Sequence, residues 1–315
     1  MGTGEIGIPT LRWLAASDHE LLGVYTQPDR PAGRGSKMTP PAIKVVAEEL
    51  GLPVFQPERL RQPEVVAQVE GAGADLIVVM AYGQILSKKV LAAPRIACLN
   101  LHASILPDYR GAATIQAAIL AGDEETGITV MYMDAGLDTG DILSVERLAI
   151  APDETGGSLH DRLAEIGPAA LSAALGMIEA GEAPRVPQDE ALASHVGKLG
   201  REDGQIDWGR SAAEIERMVR AYHPWPGTMT RVLKEADAER GRVLKVLPPV
   251  VIETVEAHDR EPGSILRADK SGLLVACGEP ARALLLKRVQ PESKKAMDAS
   301  AFLAGRPFGE TGKLQ

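Results

Sequence analysis

Residues 98–107, CLNLHASILP, decide how this chain is interpreted. The sequence leading into them is apolar from Ile96 to Leu101, which is typical of a strand buried beneath helices. Side chains two positions apart point to the same side of a strand, so Asn100 and His102 face together toward its carboxyl end, where open α/β sheets bind ligands. An isolated Asn-x-His pair is also typical of a strand that ends on two hydrogen-bonded polar residues. The neighbouring residues must show whether the pair binds a ligand or only ends the strand.

Length and composition indicate a globular chain with two domains. Single cores stop growing at about 250–300 residues, and this chain has 315. Its 45% hydrophobic and 24% charged residues are ordinary for globular proteins. No apolar run approaches the ~20 residues that span a bilayer. Cys98 and Cys277 are far apart in apolar settings, which favours reduced thiols over a disulfide. We therefore expect a cytoplasmic protein with no membrane contact.

The order of the sequence patterns separates an α/β domain from a β-rich one. Through residues 1–181, apolar strand-like runs alternate with helical segments, which predicts a Rossmann-like, doubly wound, mostly parallel sheet. Residues 182–200 contain prolines and glycines with little periodicity, which predicts a linker. Residues 201–315 carry short β-like runs separated by turns, which predict a small β-barrel. These runs are Thr228–Leu233, Arg242–Leu247, Val250–Val255, Ser264–Arg267, Leu273–Cys277 and Ala283–Val289.

The net charge of −9 is unevenly distributed along the chain. Residues 1–200 carry 15 basic and 26 acidic side chains, whereas residues 201–315 carry 19 and 17. Because phosphate backbones need local cations, the second part is the better candidate for contact with RNA. A mildly basic domain is equally typical of a solvated surface, so charge alone leaves both interpretations open.

A second candidate for phosphate contact is the loop at residues 27–41. Arg30, Arg34 and Lys37 stand among prolines and glycines there, and only Asp29 opposes them. A flexible loop can follow a phosphate backbone, and guanidinium groups bind phosphates bidentately. On composition alone, such a loop is also typical of an ordinary mobile surface segment.

The polar residues that follow Asn100 and His102 complete a known pattern. The sequence SILPDYRG follows at 104–111, and the glycine-rich turn DAGLDTG at 134–140 contains Asp138. Asn, His, a Ser-Leu-Leu-Pro-like loop and this Asp, in this order, resemble the folate-dependent formyltransferases. The resemblance implies 10-formyltetrahydrofolate as co-substrate. The sequence has no cluster of metal-ligating residues, so we expect no metal.

The resemblance also assigns roles to particular residues of this chain. It implies that Asn100, His102 and Asp138 are catalytic. It further implies a folate site formed by Tyr82, Ser104, Ile105, Leu106, Pro107 and Asp138. Tyr82 follows the apolar strand at 76–81. Its position is equally typical of an aromatic side chain that packs where a loop begins and contacts no ligand.

The basic loop narrows the choice of acceptor for the formyl group. PDRPAGRG at 28–35 is similar to a loop that grips the acceptor end of initiator tRNA in the family members that formylate methionyl-tRNA. Relatives that formylate small molecules lack the loop in this form. Residues 198–208 and the turn PWPG at 224–227 are similar to those same members, whose second domain is OB-like. We therefore expect methionyl initiator tRNA as the partner of a monomer. The expected tRNA contacts are Arg30, Arg34 and Lys37, with Arg34 the most important.

Two other functions remain open. An enzyme of the same family could formylate a small amine, such as an amino sugar nucleotide or glycinamide ribonucleotide, and the basic loop argues against it. A catalytically silent RNA-binding protein could retain the fold, and the presence of Asn100, His102 and Asp138 argues against that.

The start of the chain raises a separate question. Residues 1–11, MGTGEIGIPTL, indicate a glycine turn that leads into a helix from about Pro9 to Ser17. A strand normally precedes such a turn, and in the family that strand is short and apolar. Because the loss of a central strand leaves backbone groups unpaired, we expect the first strand of the sheet to be truncated here and further residues to precede Met1.

The chemistry of formyl transfer explains the residue types. The formyl carbon passes through a tetrahedral state that bears an oxyanion. Asn100 can donate an amide hydrogen to that oxygen, which is worth about 3–4 kcal/mol in comparable sites. His102 can stabilise the oxyanion when protonated or accept a proton from the attacking amine, and Asp138 can orient His102. The order of the proton transfers stays open.

Overall fold

The computed structural model describes residues 1–32, 36–233, 241–304 and 312–315. Its internal contacts divide the chain into two compact units. The first comprises residues 1–114, 125–149 and 160–197, and the second comprises 115–124, 150–159 and 198–315. The α-helices of the described residues are α1 Ile8–Ala16, α2 Ala42–Glu49, α3 Pro63–Gly71, α4 Lys88–Leu91, α5 Thr114–Ala121, α6 Gly156–Glu179, α7 Ala212–Ala221 and α8 Ala299–Ala304.

The strands of the first unit confirm the predicted α/β class. They are β1 Val24–Tyr25, β2 Arg30–Ala32, β3 Lys37–Thr39, β4 Val54–Phe55, β5 Leu76–Val79, β6 Ala97–His102, β7 Arg110–Gly111, β8 Glu125–Tyr132, β9 Ile142–Ala149 and β10 His195–Val196. β1 pairs with β4 and β5 pairs with β6, both in parallel. β8 returns antiparallel beside β6 and forms a hairpin with β9, so this half of the sheet is mixed.

Met1 and Gly2 join the two parallel pairs of strands. The Met1 amine donates to the Val78 carbonyl (2.6 Å), Met80 N donates to the Met1 carbonyl (3.0 Å), and Gly2 N donates to the Tyr25 carbonyl (3.0 Å). Burial lowers the pKa of the Met1 amine to about 6. A cleft of about 520 Å³ is lined by Met1 and by residues of β1 and β5. The expected strand ahead of Met1 stays a prediction.

Residues 182–197, within the predicted linker, belong to the first unit. β10 pairs in parallel with β7, and Val186 exchanges two backbone hydrogen bonds with Ile142, at 2.8 and 3.0 Å. These contacts are isolated backbone pairings, which leave no periodic pattern in the sequence. The domain boundaries at 181 and 201 remain predictions.

The second unit contains the barrel that the short β-like runs predict. Its strands are β11 Thr228–Leu233, β12 Arg242–Thr254, β13 Ile265–Asp269, β14 Gly272–Ala276, β15 Arg282–Pro291, β16 Met297–Asp298 and β17 Lys313–Leu314. The hydrogen-bonded order is β13-β14-β15-β12-β11-β17, and a bridge between Ser264 and Lys313 nearly closes it. The runs predicted at 242–247 and 250–255 form one strand, β12, because the chain continues through Pro248 and Pro249 with a shift in register.

Helix α7 packs onto the apolar interior of the barrel. Ala212, Ile215 and Val219 on one face of the helix join the buried cluster of the second unit. Ser211 begins the helix with a capping box, because its Oγ accepts from Glu214 N (3.2 Å) and Glu214 Oε2 accepts from Ser211 N (3.0 Å). A cap of this kind is worth about 1 kcal/mol, and it sets where the helix starts.

Candidate active site

The strand β6 carries Asn100 and His102 to the carboxyl end of the sheet. All six residues of β6 are buried, because the strand lies between β5 and β8. Asn100 and His102 have 9% and 5% of their surfaces exposed, and their spacing places them on one face, as the sequence predicts. Polar side chains buried this deeply need hydrogen-bonding partners. The loops around the strand end supply them.

Asp138 meets both side chains at the end of β6. Its Oδ1 accepts a hydrogen bond from Asn100 Nδ2 (3.3 Å) and lies 3.7 Å from His102 Nδ1. Its Oδ2 accepts from Gly111 N (2.9 Å). The backbone of Asp138 is left-handed, with φ +55°, which turns the carboxylate back toward the strand. The structure therefore brings together the three residues predicted to be catalytic.

The two ring nitrogens of His102 face different groups. Nε2 lies 3.0 Å from the carbonyl oxygen of Tyr109, which can only accept, so Nε2 carries a hydrogen and donates it. Nδ1 is then the nitrogen that can gain or lose a proton, and it faces Asp138. Tyr109 has a left-handed backbone, φ +60°, which aims its carbonyl at the ring. This arrangement fixes both the tautomer and the orientation of the imidazole.

Residues 104–107 form a loop that Thr129 holds in place. Thr129 lies opposite His102 on β8; its Oγ1 donates to the Ser104 carbonyl (2.6 Å) and accepts from Leu106 N (3.1 Å). Ser104 Oγ donates to the Asp108 carbonyl (2.6 Å), so its hydroxyl is engaged within the loop. Leu106 is buried, whereas Ile105 and Pro107 are partly exposed. The loop is therefore held by hydrogen bonds and presents these two side chains at the surface.

Two family models match this chain along most of its length. The formyl transferase model covers residues 2–175, and that of the formyl transferase C-terminal domain covers 198–307. The methionyl-tRNA formyltransferases of Symbiobacterium thermophilum and Akkermansia muciniphila are each 47% identical to it, over 97% and 98% of this chain and 91% and 96% of their own. The chain belongs to the formyl transferase family. The resemblance predicted from Asn100, His102 and Asp138 is confirmed.

A solved formyl transferase has the same fold. WlaRD, described as a sugar 3N-formyl transferase in the presence of dTDP and 5-N-formyl-THF, matches with a TM-score of 0.63 and 15% sequence identity. The match covers 93% of this chain and 97% of WlaRD. At this low identity, the likeness supports the fold of a formyl transferase and nothing finer.

Tyr82, a predicted folate contact in this formyl transferase, lies in the core of the first unit. It is 2% exposed and packs in a cluster with Tyr25, Leu60 and Cys98, and burial raises its pKa to about 12. Among the described residues its buried hydroxyl has no hydrogen-bond partner. Its backbone carbonyl accepts from Thr3 Oγ1 (2.8 Å). Contact between Tyr82 and folate stays a prediction.

The predicted tRNA loop forms a small hairpin where the structure describes it. β2 and β3 pair antiparallel, and Lys37 lies opposite Ala32. Ala32 is two positions after Arg30 on β2, so Arg30 and Lys37 lie on the same face of the hairpin. Asp29 is bound by Gln56 (2.7 Å) and Lys44 (2.9 Å), whose hydrogen bonds lower its pKa. The ion pair of Asp29 is therefore the one with Lys44. Arg34 lies outside the described residues.

Arg110 belongs to the loop at 104–110 that resembles the folate-contacting loop of the family, but the sequence predicts no individual role for it. It is 1% exposed, and its guanidinium forms two hydrogen bonds to the Glu190 carboxylate, at 2.8 and 3.0 Å. This pairing raises the pKa of Arg110 and lowers that of Glu190. Thr129 was missed as well. Its position opposite His102 follows from strand register, which a single sequence does not reveal.

Two further observations concern the described residues as a whole. They bring no three His, Cys, Asp or Glu side chains into an arrangement that could hold a metal ion. None of their helices combines the length and the apolar character needed to cross a bilayer.

Proposed function

We propose that this chain transfers the formyl group of 10-formyltetrahydrofolate to the α-amino group of methionyl initiator tRNA. The observation that carries the proposal is the meeting of Asn100, His102 and Asp138 within 3.7 Å. It occurs in a chain 47% identical, over almost its whole length, to proteins named methionyl-tRNA formyltransferase. The similarity covers both regions matched by the family models. It therefore supports methionyl-tRNA as the acceptor as well as formyl transfer as the reaction.

The geometry supports a role for each group in the transfer. The amine nitrogen attacks the formyl carbon, whose oxygen becomes the oxyanion, and the second amide hydrogen of Asn100 stabilises that charge. His102 accepts the proton of the amine on Nδ1, because Nε2 already donates to Tyr109. The bond between the formyl carbon and the folate nitrogen then breaks, and His102 returns the proton to that nitrogen. Asp138 stabilises the charged imidazole between these steps.

The two substrates are assigned to separate parts of the chain. Folate contacts Tyr82, Ser104, Ile105, Leu106, Pro107 and Asp138, and the presence of 5-N-formyl-THF with the fold relative WlaRD supports a folate donor. The tRNA contacts Arg30, Arg34 and Lys37 through its phosphates. The protein acts as a monomer in the cytoplasm, where translation takes place.

Replacement of the proposed base tests the proposal. His102→Ala removes the group that accepts the proton, so kcat falls by about 10²–10⁴-fold; a melting curve checks that the variant is folded. The matched control is His160→Ala, because His160 also faces a carboxylate, that of Asp161 at 3.0 Å, and lies on the surface of α6. Near-normal turnover by His102→Ala would remove this residue from the mechanism and refute the proposed site.

A further inference from the structure

The carboxylate of Asp138 is held by the backbone of the loop opposite it. Oδ2 accepts from Gly111 N at 2.9 Å, and this bond fixes how far the carboxylate lies from His102. Gly111 has φ +118°, and a Cβ at this position would lie 2.1 Å from the carbonyl oxygen of Val196. A glycine is therefore required where β7 passes β10, and the position of the Gly111 N–H depends on that close approach.

Gln188 binds the same turn from the other side. Its Nε2 donates to the carbonyl of Asp138 (2.8 Å) and to that of Gly140 (2.8 Å), which uses both amide hydrogens. Its Oε1 accepts from Arg110 Nε (3.0 Å). Arg110 directly precedes Gly111, so the contacts close a ring: the Asp138 carboxylate, Gly111, Arg110, Gln188 and the Asp138 carbonyl.

Residues 194–196 bind the loop that leads into Gly111. Ser194 Oγ accepts from Tyr109 N (2.8 Å), and the Ser194 carbonyl accepts from Arg110 N (2.8 Å). Tyr109 is the residue whose carbonyl accepts from His102. One segment, 188–196, therefore contacts the turn that carries Asp138 and the loop that orients His102.

We propose that Gln188 is a positioning residue that fixes the Asp138 carboxylate at the distance from His102 that formyl transfer requires; this inference rests on the proposed function. An amide is suited to this position because it donates twice to carbonyls and accepts once from a guanidinium. A carboxylate of the same length keeps only the bond to Arg110 and places a negative charge against two carbonyl oxygens. Small displacements of a catalytic group cost up to about 10²-fold in rate.

The test compares Gln188→Met and Gln188→Glu with the wild-type chain in formyl transfer to methionyl initiator tRNA. We expect both variants to lower kcat by about 10- to 100-fold and to leave KM for tRNA within about 3-fold, because Gln188 holds catalytic geometry and not tRNA. Gln205→Met is the matched control, since the Gln205 amide also donates to two backbone carbonyls, those of Ile206 and Gln315, in the second unit. It leaves kcat unchanged.

A double-mutant cycle separates positioning from general weakening of the fold. If Gln188 acts through Asp138, Gln188→Met adds less than about 2-fold to the loss caused by Asp138→Asn. Full additivity, unchanged kcat in Gln188→Met, near-normal kcat in Gln188→Glu, or unfolding of both variants would each overturn the positioning role. A wild-type chain that transfers no formyl group would instead refute the proposed function, and this inference with it.

Discussion

The substitution Asp138→Asn probes the electrostatic part of the site. The amide keeps the shape of the carboxylate and can still accept from Gly111 N, but it has no charge to stabilise an imidazolium 3.7 Å away. The two side chains are only 13% and 6% exposed, so solvent screening is limited. At this distance and an effective dielectric constant of about 20, the attraction between the two unit charges is about 4 kcal/mol. If this attraction is lost in the transition state, kcat falls by about 10³-fold.

The amide that replaces the Asp138 carboxylate also changes the hydrogen bonding. Its NH2 group faces Asn100 Nδ2 and His102 Nδ1. It repels the Asn100 amide, which is also a donor. It donates to the lone pair of His102 Nδ1, so His102 loses its ability to accept a proton. The assay is the initial rate of formylmethionyl-tRNA formation at saturating substrates, with the melting curve as the check on folding. Asp134→Asn is the control, because Asp134 lies in the same turn and its Oδ1 accepts from Gly136 N and Thr139 Oγ1, away from the imidazole. A rate for Asp138→Asn within about 10-fold of wild type would refute the electrostatic argument.

Three further predictions concern other parts of the molecule. Arg30→Ala with Lys37→Ala removes two cations from one face of the hairpin, so KM for tRNA rises several-fold and the salt dependence of KM weakens; initial rates over a salt series measure both. Thr129→Val removes two buried hydrogen bonds that hold the loop at Leu106 and lowers the free energy of unfolding by about 1–3 kcal/mol, measured by urea denaturation. Burial and the nearby Arg288 charge lower the pKa of His223, so the unfolded chain takes up the proton first. Stability is therefore lost as the pH falls below about 6.5, and His223→Gln reduces that loss.

Matched variants distinguish these effects from general damage. Arg12→Ala removes an exposed cation of the first unit that pairs with Glu49, and we expect it to leave KM for tRNA unchanged. If KM rose equally in Arg12→Ala and in the variant that lacks Arg30 and Lys37, the overall charge would explain the effect. Thr126→Val is the control for Thr129, because Thr126 is a buried threonine of the same strand. If the urea midpoints of wild type and His223→Gln fell in parallel between about pH 8 and pH 5.5, titration of His223 would not explain the acid sensitivity.

The chemistry-bearing strand was predictable because its signals are local. An apolar run with polar residues two apart predicts a buried strand with one polar face, and β6 spans Ala97–His102 with both polar residues on it. The barrel strands follow in the same way from short runs between turns. Pro248 and Pro249 led to the prediction of two strands where one exists, since a register shift lets β12 continue past them.

The remaining parts of the site depend on contacts between distant residues. The left-handed backbones of Tyr109 and Asp138 are unusual for residues other than glycine, and no local pattern indicates them. Gln188 and Ser194 reach the site from a segment whose prolines and lack of periodicity predict a linker. Their side chains form hydrogen bonds to backbone carbonyls and amides about 50 to 85 positions away. Contacts between such distant residues leave no periodic pattern in the sequence.

Formyl transfer from 10-formyltetrahydrofolate to three acceptors in parallel tests both the reaction and the acceptor: methionyl initiator tRNA, methionyl elongator tRNA and a dTDP-linked amino sugar. We expect rapid transfer to the initiator tRNA, slower transfer to the elongator tRNA and none to the sugar, with the transfer to initiator tRNA about 10²–10⁴-fold slower in His102→Ala. Preferential transfer to the amino sugar would contradict the proposed acceptor, and absence of transfer to every acceptor would contradict the proposed chemistry.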